Sequence, residues 1–262
     1  MGFKAGGDNN RTNNTTNANR NTYFGSNAGS INREGSDNVG MGAFANFNNT
    51  NRSRCVFIGS GGAGYDNAGW FTGYSMADAN DVIVIGYQAQ NAGQYGIVMG
   101  NNTDMDGNRT VSLGYLNRVT AAGDNSVQIG SDSYLETNRS VSVGYFDSIT
   151  GTGSTGVGSL VSVLGDSSIA LGTTSRITGA QSIGLGTGVS VTGNNSIAIG
   201  QGTSVTASNE VFVGNTATTS IGGTVNWTAT SDGRFKTNVQ SNVPGLDFIN
   251  ALEPVTYNFD AE

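Results

Sequence analysis

Ser182-Ile183-Gly184-Leu185-Gly186 and Ser196-Ile197-Ala198-Ile199-Gly200 are two copies of one phrase: serine, then a small residue between two apolar ones, then glycine. The phrase recurs upstream as Ser126-Val127-Gln128-Ile129-Gly130, Ser140-Val141-Ser142-Val143-Gly144 and Ser168-Ile169-Ala170-Leu171-Gly172. Its closing glycines stand at 86, 100, 114, 130, 144, 158, 172, 186, 200 and 214, so that eight of nine intervals are 14 residues and one is 16. A repeat this regular decides the fold before any single residue does.

Apolar residues three and one before each glycine have the period of two that predicts a β-strand burying one face. Another apolar residue follows eight of these ten glycines by five, at Met105, Val119, Leu135, Ile149, Val163, Ile177, Val191 and Val205. Between them lie Gly-x and Thr-Gly-Asn-Asn corners, where positive φ costs least. Each unit therefore reads as two short strands and two turns with no helix. Stacked about 4.8 Å apart, roughly ten such 14-residue coils make an all-β solenoid on the order of 50 Å long. On this reading each coil directs about three apolar side chains inward, a core too thin to stand without neighbours. The small alternates Ala170, Gly184 and Ala198 are then an outer stripe open to close contact with another chain.

Composition narrows the function. Glycine supplies 41 and asparagine 32 of 262 residues, while charged residues are only 12%, against roughly 25% in an ordinary soluble domain. A net charge of −7 with no basic stripe argues against nucleic-acid binding. No apolar run approaches the roughly 20 residues of a membrane span, so no membrane insertion is expected. The start, Met1 to Gly6, lacks the apolar core of a secretory signal. Histidine is absent, which removes Ser-His-Asp catalysis and His-ligated zinc. Cys55 is the single cysteine, so no internal disulfide or thiolate cage forms. No metal and no cofactor is expected.

The serine-to-glycine phrase at 14-residue spacing resembles the head repeats of YadA-type trimeric autotransporter adhesins over residues 81–214. The resemblance implies a left-handed parallel β-roll and a homotrimer, with coils of three chains around one axis. Residues 1–80 read as irregular Gly/Asn-rich β-repeats, with glycines 25, 42 and 59 spaced 17 apart. They resemble the repeats of phage and bacterial tail-fibre-like proteins. Met1 to Gly6 matches the middle of such a unit, as if the chain began inside a repeat.

From about residue 215 the repeats stop. Residues 215–230 read as a neck containing a strand at 224–230; a short helix is predicted after Pro244 and a return to strand from Pro254. Residues 231–262 open with Ser231-Asp232-Gly233-Arg234-Phe235-Lys236 and continue to Leu252, Pro254, Val255 and Tyr257. This pattern resembles the start of the intramolecular chaperone of phage endosialidase-type tailspikes, a self-cleaving serine peptidase family. Only its N-terminal part is matched, since 32 residues follow Thr230. The resemblance implies a domain that drives trimerisation and then cuts the chain once, at the Thr230–Ser231 bond. Ser231 takes the role of nucleophile and Lys236 that of general base, with Asp232 and Arg234 in support. The chemistry is coherent, because a serine hydroxyl needs a base and a lysine serves once burial or a neighbouring cation such as Arg234 lowers its pKa.

Other signals carry less. Residues 59–64 and 151–156 satisfy G-x-G-x-x-G, but neither opens a helix, as dinucleotide binding requires. Residues 102–107 resemble half a calcium loop, yet Leu113 stands where the bidentate glutamate belongs. Tyr65, Trp70, Phe71, Tyr74, Tyr87, Tyr95, Tyr115, Tyr134 and Tyr145 lie outside the apolar columns. Packing between chains is the favoured reading for them, and stacking on sugars or receptor loops the other. Residues 60–80 interrupt the spacing and are the candidate receptor-contact region.

The expected function is that of a trimeric fibre shaft or adhesin, most simply a phage tail fibre. Its partners are two further copies of itself and a host-surface glycan or protein receptor; its location is the virion tail or, if bacterial, the cell surface. A bacterial trimeric adhesin is the alternative. A tailspike glycosidase stalk needs paired carboxylates facing a groove, whereas the acidic residues here are scattered. An ice-binding solenoid needs a longer threonine ladder than Thr150, Thr178, Thr192 and Thr206 provide.

Overall fold

The computed structural model describes residues 2–7, 19–30, 32, 34–45, 52–60, 80–225 and 245–256. The chain divides into Met1–Thr219 and Ser220–Glu262. In the first unit, the strands among the described residues form two parallel sheets, one of 13 strands and one of nine. The larger runs from Thr22–Phe24 to Val211–Val213 and the smaller from Gln90–Asn91 to Ser204–Val205. From Ile83 onward the chain alternates between the two sheets, so each strand pairs with its equivalents one turn below and one above. Val127 pairs with Val111 and Val141, and Ser148 with Tyr134 and Ser162 on the other sheet. This unit is an all-β parallel solenoid, as the repeat predicts.

The looser spacing upstream still feeds the same sheet. Thr22, Val39 and Val56 stand in register, and Val56 then pairs with Ile83. Of the candidate receptor-contact region, residues 60–80, all but its two end residues lie outside the described residues, and the segment is inserted between two strands that pair directly. The single longer interval keeps its register too, Val111 with Val127. Its extra residues fall at Ala121-Ala122, an exposed turn.

The faces of the large sheet are the reverse of the sequence expectation. Ala170 and Ala198 are fully buried, as are Val98, Ser112, Gln128 and Ser142 at the same place in other turns. The apolar residues on either side of them point out of the coil. Period-two alternation defines two faces without saying which is inside; the serine that opens each phrase decides it. Ser140 Oγ accepts the N–H of Ser154 at 3.1 Å and donates to the Gly151 carbonyl at 3.1 Å. Ser154 does the same with Ser168 and Gly165, and Ser182 with Ser196 and Gly193. Each such bond contributes about 1 kcal/mol net, and the ladder works only inside the coil. The residue two after the serine shares its face, and where it is glycine the branched side chain from the facing strand fills the slot. A Cβ on Gly156 would meet Ile149 Cδ1, and one on Gly184 would meet Ile177 Cδ1. The column five after each glycine, from Met105 to Val205, is wholly buried as expected.

Two corners per turn reverse the chain. At one, the closing glycine of Gly130 (φ +137) is packed so that a Cβ would fall on the Gly144 carbonyl oxygen. Two residues later the backbone turns left-handed even where the side chain is large, at Leu116 (φ 51), Phe146 (φ 55) and Leu160 (φ 57). Such a conformation costs roughly 1–2 kcal/mol. Stacking offsets it, since the Leu160 N–H donates to the Tyr145 carbonyl at 2.8 Å and the Asp132 N–H to the Tyr115 carbonyl at 2.8 Å.

In the second unit, Leu246–Asn250 forms the short helix expected after Pro244. Thr224 and Val225 form an exposed bend, and Pro254–Thr256 carry no strand. The remaining residues of both predicted strands lie outside the described residues.

Candidate functional site

The outward face of the large sheet is the first candidate surface. From Ile83 to Val213 it presents 20 positions in two columns, and every one is Ile, Leu, Val or Met except Thr155. Met99 is 41% exposed, Ile129 38%, Leu171 40% and Ile199 37%. Phe24, Met41 and Ile58 extend the outer column upstream. At strand spacing the ten turns from Ile83 make a wall about 45 Å long. Soluble monomers rarely leave so long a contiguous apolar surface in water; a surface of this kind marks an interface.

A second feature runs along the corner beside that wall. The residue after each closing glycine is Tyr87, Asn101, Tyr115, Ser131, Tyr145 and Ser159 in successive turns. Register places Tyr115 between Asn101 and Ser131, and Ser131 between Tyr115 and Tyr145. Tyr87 continues the column, its carbonyl accepting the Asn102 N–H at 2.9 Å. The three tyrosines are 48%, 47% and 48% exposed. Between Tyr87 and Leu116 lies an open groove of about 490 Å³ floored by Gln88, Gln90, Asn102, Thr103 and Asp104. Asp104 sits 4.0 Å from Arg118, and burial with the nearby Asp106 charge raises its pKa. Among the described residues no group of three acidic or cysteine side chains converges on a metal position. Of the other aromatic residues singled out in the sequence, Tyr95 and Tyr134 lie off this column. Tyr65, Trp70, Phe71 and Tyr74 fall outside the described residues.

Two buried charges were invisible in the sequence. Arg52 is 1% exposed, donates from Nη2 to the Asn91 carbonyl at 2.9 Å and lies 6.0 Å over the Phe57 ring. Burial lowers its pKa to about 10. It ties the upstream repeats to the first turns of the regular ones. Asp147 is 1% exposed; its Oδ1 accepts the Val161 N–H at 2.9 Å, while Oδ2 has no partner among the described residues. Burial raises its pKa to about 6, against about 3.9 in an unfolded chain. The native state therefore holds the proton more tightly, and the stability it contributes is complete below about pH 4 and lost as pH rises through about 6. Asp147→Asn retains an oxygen for the Val161 N–H and removes the charge. It is expected to stabilise the protein at pH 7 by about 1–2 kcal/mol, after allowance for screening at the corner, and to flatten the slope below pH 6. Urea unfolding of both proteins across that range checks this, and parallel pH profiles contradict it.

Thr230, Ser231, Asp232, Arg234 and Lys236, the residues of the expected self-cleaving site, lie outside the described residues. The wall and the tyrosine corner lie within the described residues. Comparison of the chain with protein-family models finds no match, and comparison with curated proteins finds none either.

Proposed function

We propose that the chain is the shaft of a homotrimeric attachment fibre, built of 14-residue left-handed coils with the apolar walls of three copies turned to a common axis. The observation that carries this reading is the wall itself. A solenoid that places 15 serines and threonines among its buried residues leaves a wall of Ile, Leu, Val and Met side chains outside, and only chain-to-chain contact removes them from water. Three-fold parallel packing keeps each turn level with its own equivalents, so one repeat builds the whole axis. The stretch from Ser231 is the N-terminal part of the chaperone that assembles the trimer and then releases itself, Ser231 attacking the Thr230 carbonyl after Lys236 takes its proton. That C-terminal pattern favours a virion fibre, attached to a host-surface glycan or protein, over a bacterial adhesin.

Light scattering on the native chain tests the assembly: the mass of three 26.9 kDa chains supports the reading, and a monodisperse monomer overturns it. For the processing step, the gene carried through to its downstream end is expressed beside Ser231→Ala. A cut band for the parent and an uncut band for the variant are expected on a denaturing gel; identical bands from both refute self-cleavage.

A further inference from the structure

We infer that the corner carrying Tyr87, Tyr115 and Tyr145 is a linear glycan-binding ladder, with an extended, neutral, β-1,4-linked hexose chain as its ligand. The inference rests on the attachment-fibre reading and names the receptor chemistry that such a fibre meets on this face. Three observations carry it. The first is period: the rings stand on every second turn, with Asn101 and Ser131 between them. Alternate rungs of a parallel sheet are about 9.6 Å apart. An extended chain of equatorially linked pyranoses turns each sugar over relative to the last, so it offers the same face at every second sugar. Two coils thus advance by about the length of two sugars, and each tyrosine meets an equivalent apolar sugar face. The small residues between leave room for the intervening hydroxymethyl and hydroxyl groups.

The second is chemistry. A tyrosine ring supplies a flat apolar surface with a polar tip, and the groove beside Tyr87 sets Gln90, Asn102 and Asp104 within reach of ring hydroxyls. Carboxylate and amide oxygens accept hydroxyl protons in this way. The third is charge. Asp104, Asp106, Asp124, Asp132 and Glu136 lie along these turns, with Arg109, Arg118 and Arg139 the basic residues among them. An acidic balance favours a neutral chain and rejects sulfated or carboxylated ones. The backbone gives the ladder rigidity, since the carbonyls of Tyr87, Tyr115 and Tyr145 accept the N–H groups of Asn102, Asp132 and Leu160.

Cellohexaose titrated into the full chain by calorimetry tests the ladder. Tyr87 to Tyr145 spans four turns, about 19 Å, so a hexasaccharide reaches all three rings while cellobiose reaches one. Binding of cellohexaose is expected, at least tenfold tighter than cellobiose, with no comparable binding of maltohexaose, whose α-linkages curl the chain, or of a heparin hexasaccharide. The triple variant Y87A/Y115A/Y145A is expected to weaken cellohexaose binding at least tenfold. Y115S/S131Y keeps the composition and moves the middle ring by one turn; it too is expected to weaken binding at least tenfold. No cellohexaose binding by the parent overturns the ladder. So do variants that bind like the parent, or equal binding of maltohexaose or heparin. Circular dichroism and scattering mass are followed in parallel, which keeps the two readings apart. A folded trimer that binds no cellohexaose refutes the ladder and leaves the fibre standing; a monomer that binds it does the opposite.

Discussion

Replacing Ile129, Leu171 and Ile199 together by aspartate is expected to turn the assembled protein into separate chains. All three lie in the outer column of the wall and are 37–40% exposed in the single chain. Burying what remains of each side chain contributes roughly 1 kcal/mol, so three changes remove about 3 kcal/mol per chain and about 9 kcal/mol per trimer. At 1.4 kcal/mol per decade, that is about a millionfold in the association constant before the repulsion of clustered carboxylates is added. Because the side chains point away from the coil interior, the solenoid of a single chain keeps its circular dichroism spectrum. Sedimentation velocity distinguishes the outcomes: a trimer unaffected by three buried charges contradicts a role for this face in assembly.

Gly130→Ala is expected to cost more than 3 kcal/mol, whereas Gly188→Ala is expected to cost about 1 kcal/mol. Both glycines have positive φ, +137 and +67, so both substitutions carry backbone strain. They differ in their surroundings. A Cβ on Gly130 would fall on the Gly144 carbonyl oxygen in the next turn, while nothing lies within 4 Å of one on Gly188. Relieving the first clash means parting two turns of the stack, which breaks ladder bonds in both sheets. In a solenoid each turn is held by its neighbours, so a break near the middle weakens the whole array. At about 2–4 °C per kcal/mol for a chain of this size, thermal unfolding is expected to fall by at least about 6 °C for Gly130→Ala and by about 2–4 °C for Gly188→Ala. Equal losses contradict an account in which close packing of the corner column sets the spacing of the turns.

Much of the fold was legible because the repeat constrains it so heavily. Ten glycines at near-constant spacing leave a stacked coil as the economical solution, and the buried column from Met105 to Val205 was readable from position alone. The orientation of the large sheet was not. A strand with Ile at both outer positions and Ala between them looks like one that buries the isoleucines. Here the buried residues are Ala170 and Ala198. The signal lay in the serines, since Ser168, Ser182 and Ser196 share a face with the small residues and use their hydroxyls inside the coil. The corners were half legible. Asn125, Asn195 and Asn209 take the left-handed conformation expected of asparagine, but Leu116, Phe146 and Leu160 take it as well, because inter-turn hydrogen bonds override local preference. Asp147 gave no sign in the sequence, because its burial follows from register with Ser133 and Val161 rather than from its neighbours in the chain. The tyrosine column was visible only as scattered aromatics until pairing placed Tyr115 and Tyr145 on either side of Ser131.

Whether copies of this chain meet through the apolar wall of the large sheet is decided by site-specific photo-cross-linking. A benzophenone amino acid is introduced at Leu171 on the wall and, in a second protein, at Arg176 on the opposite sheet. Irradiation is predicted to join copies of the chain from position 171 and to leave the position 176 protein uncoupled. Cross-links of equal yield from both positions, or from 176 alone, would contradict the claim.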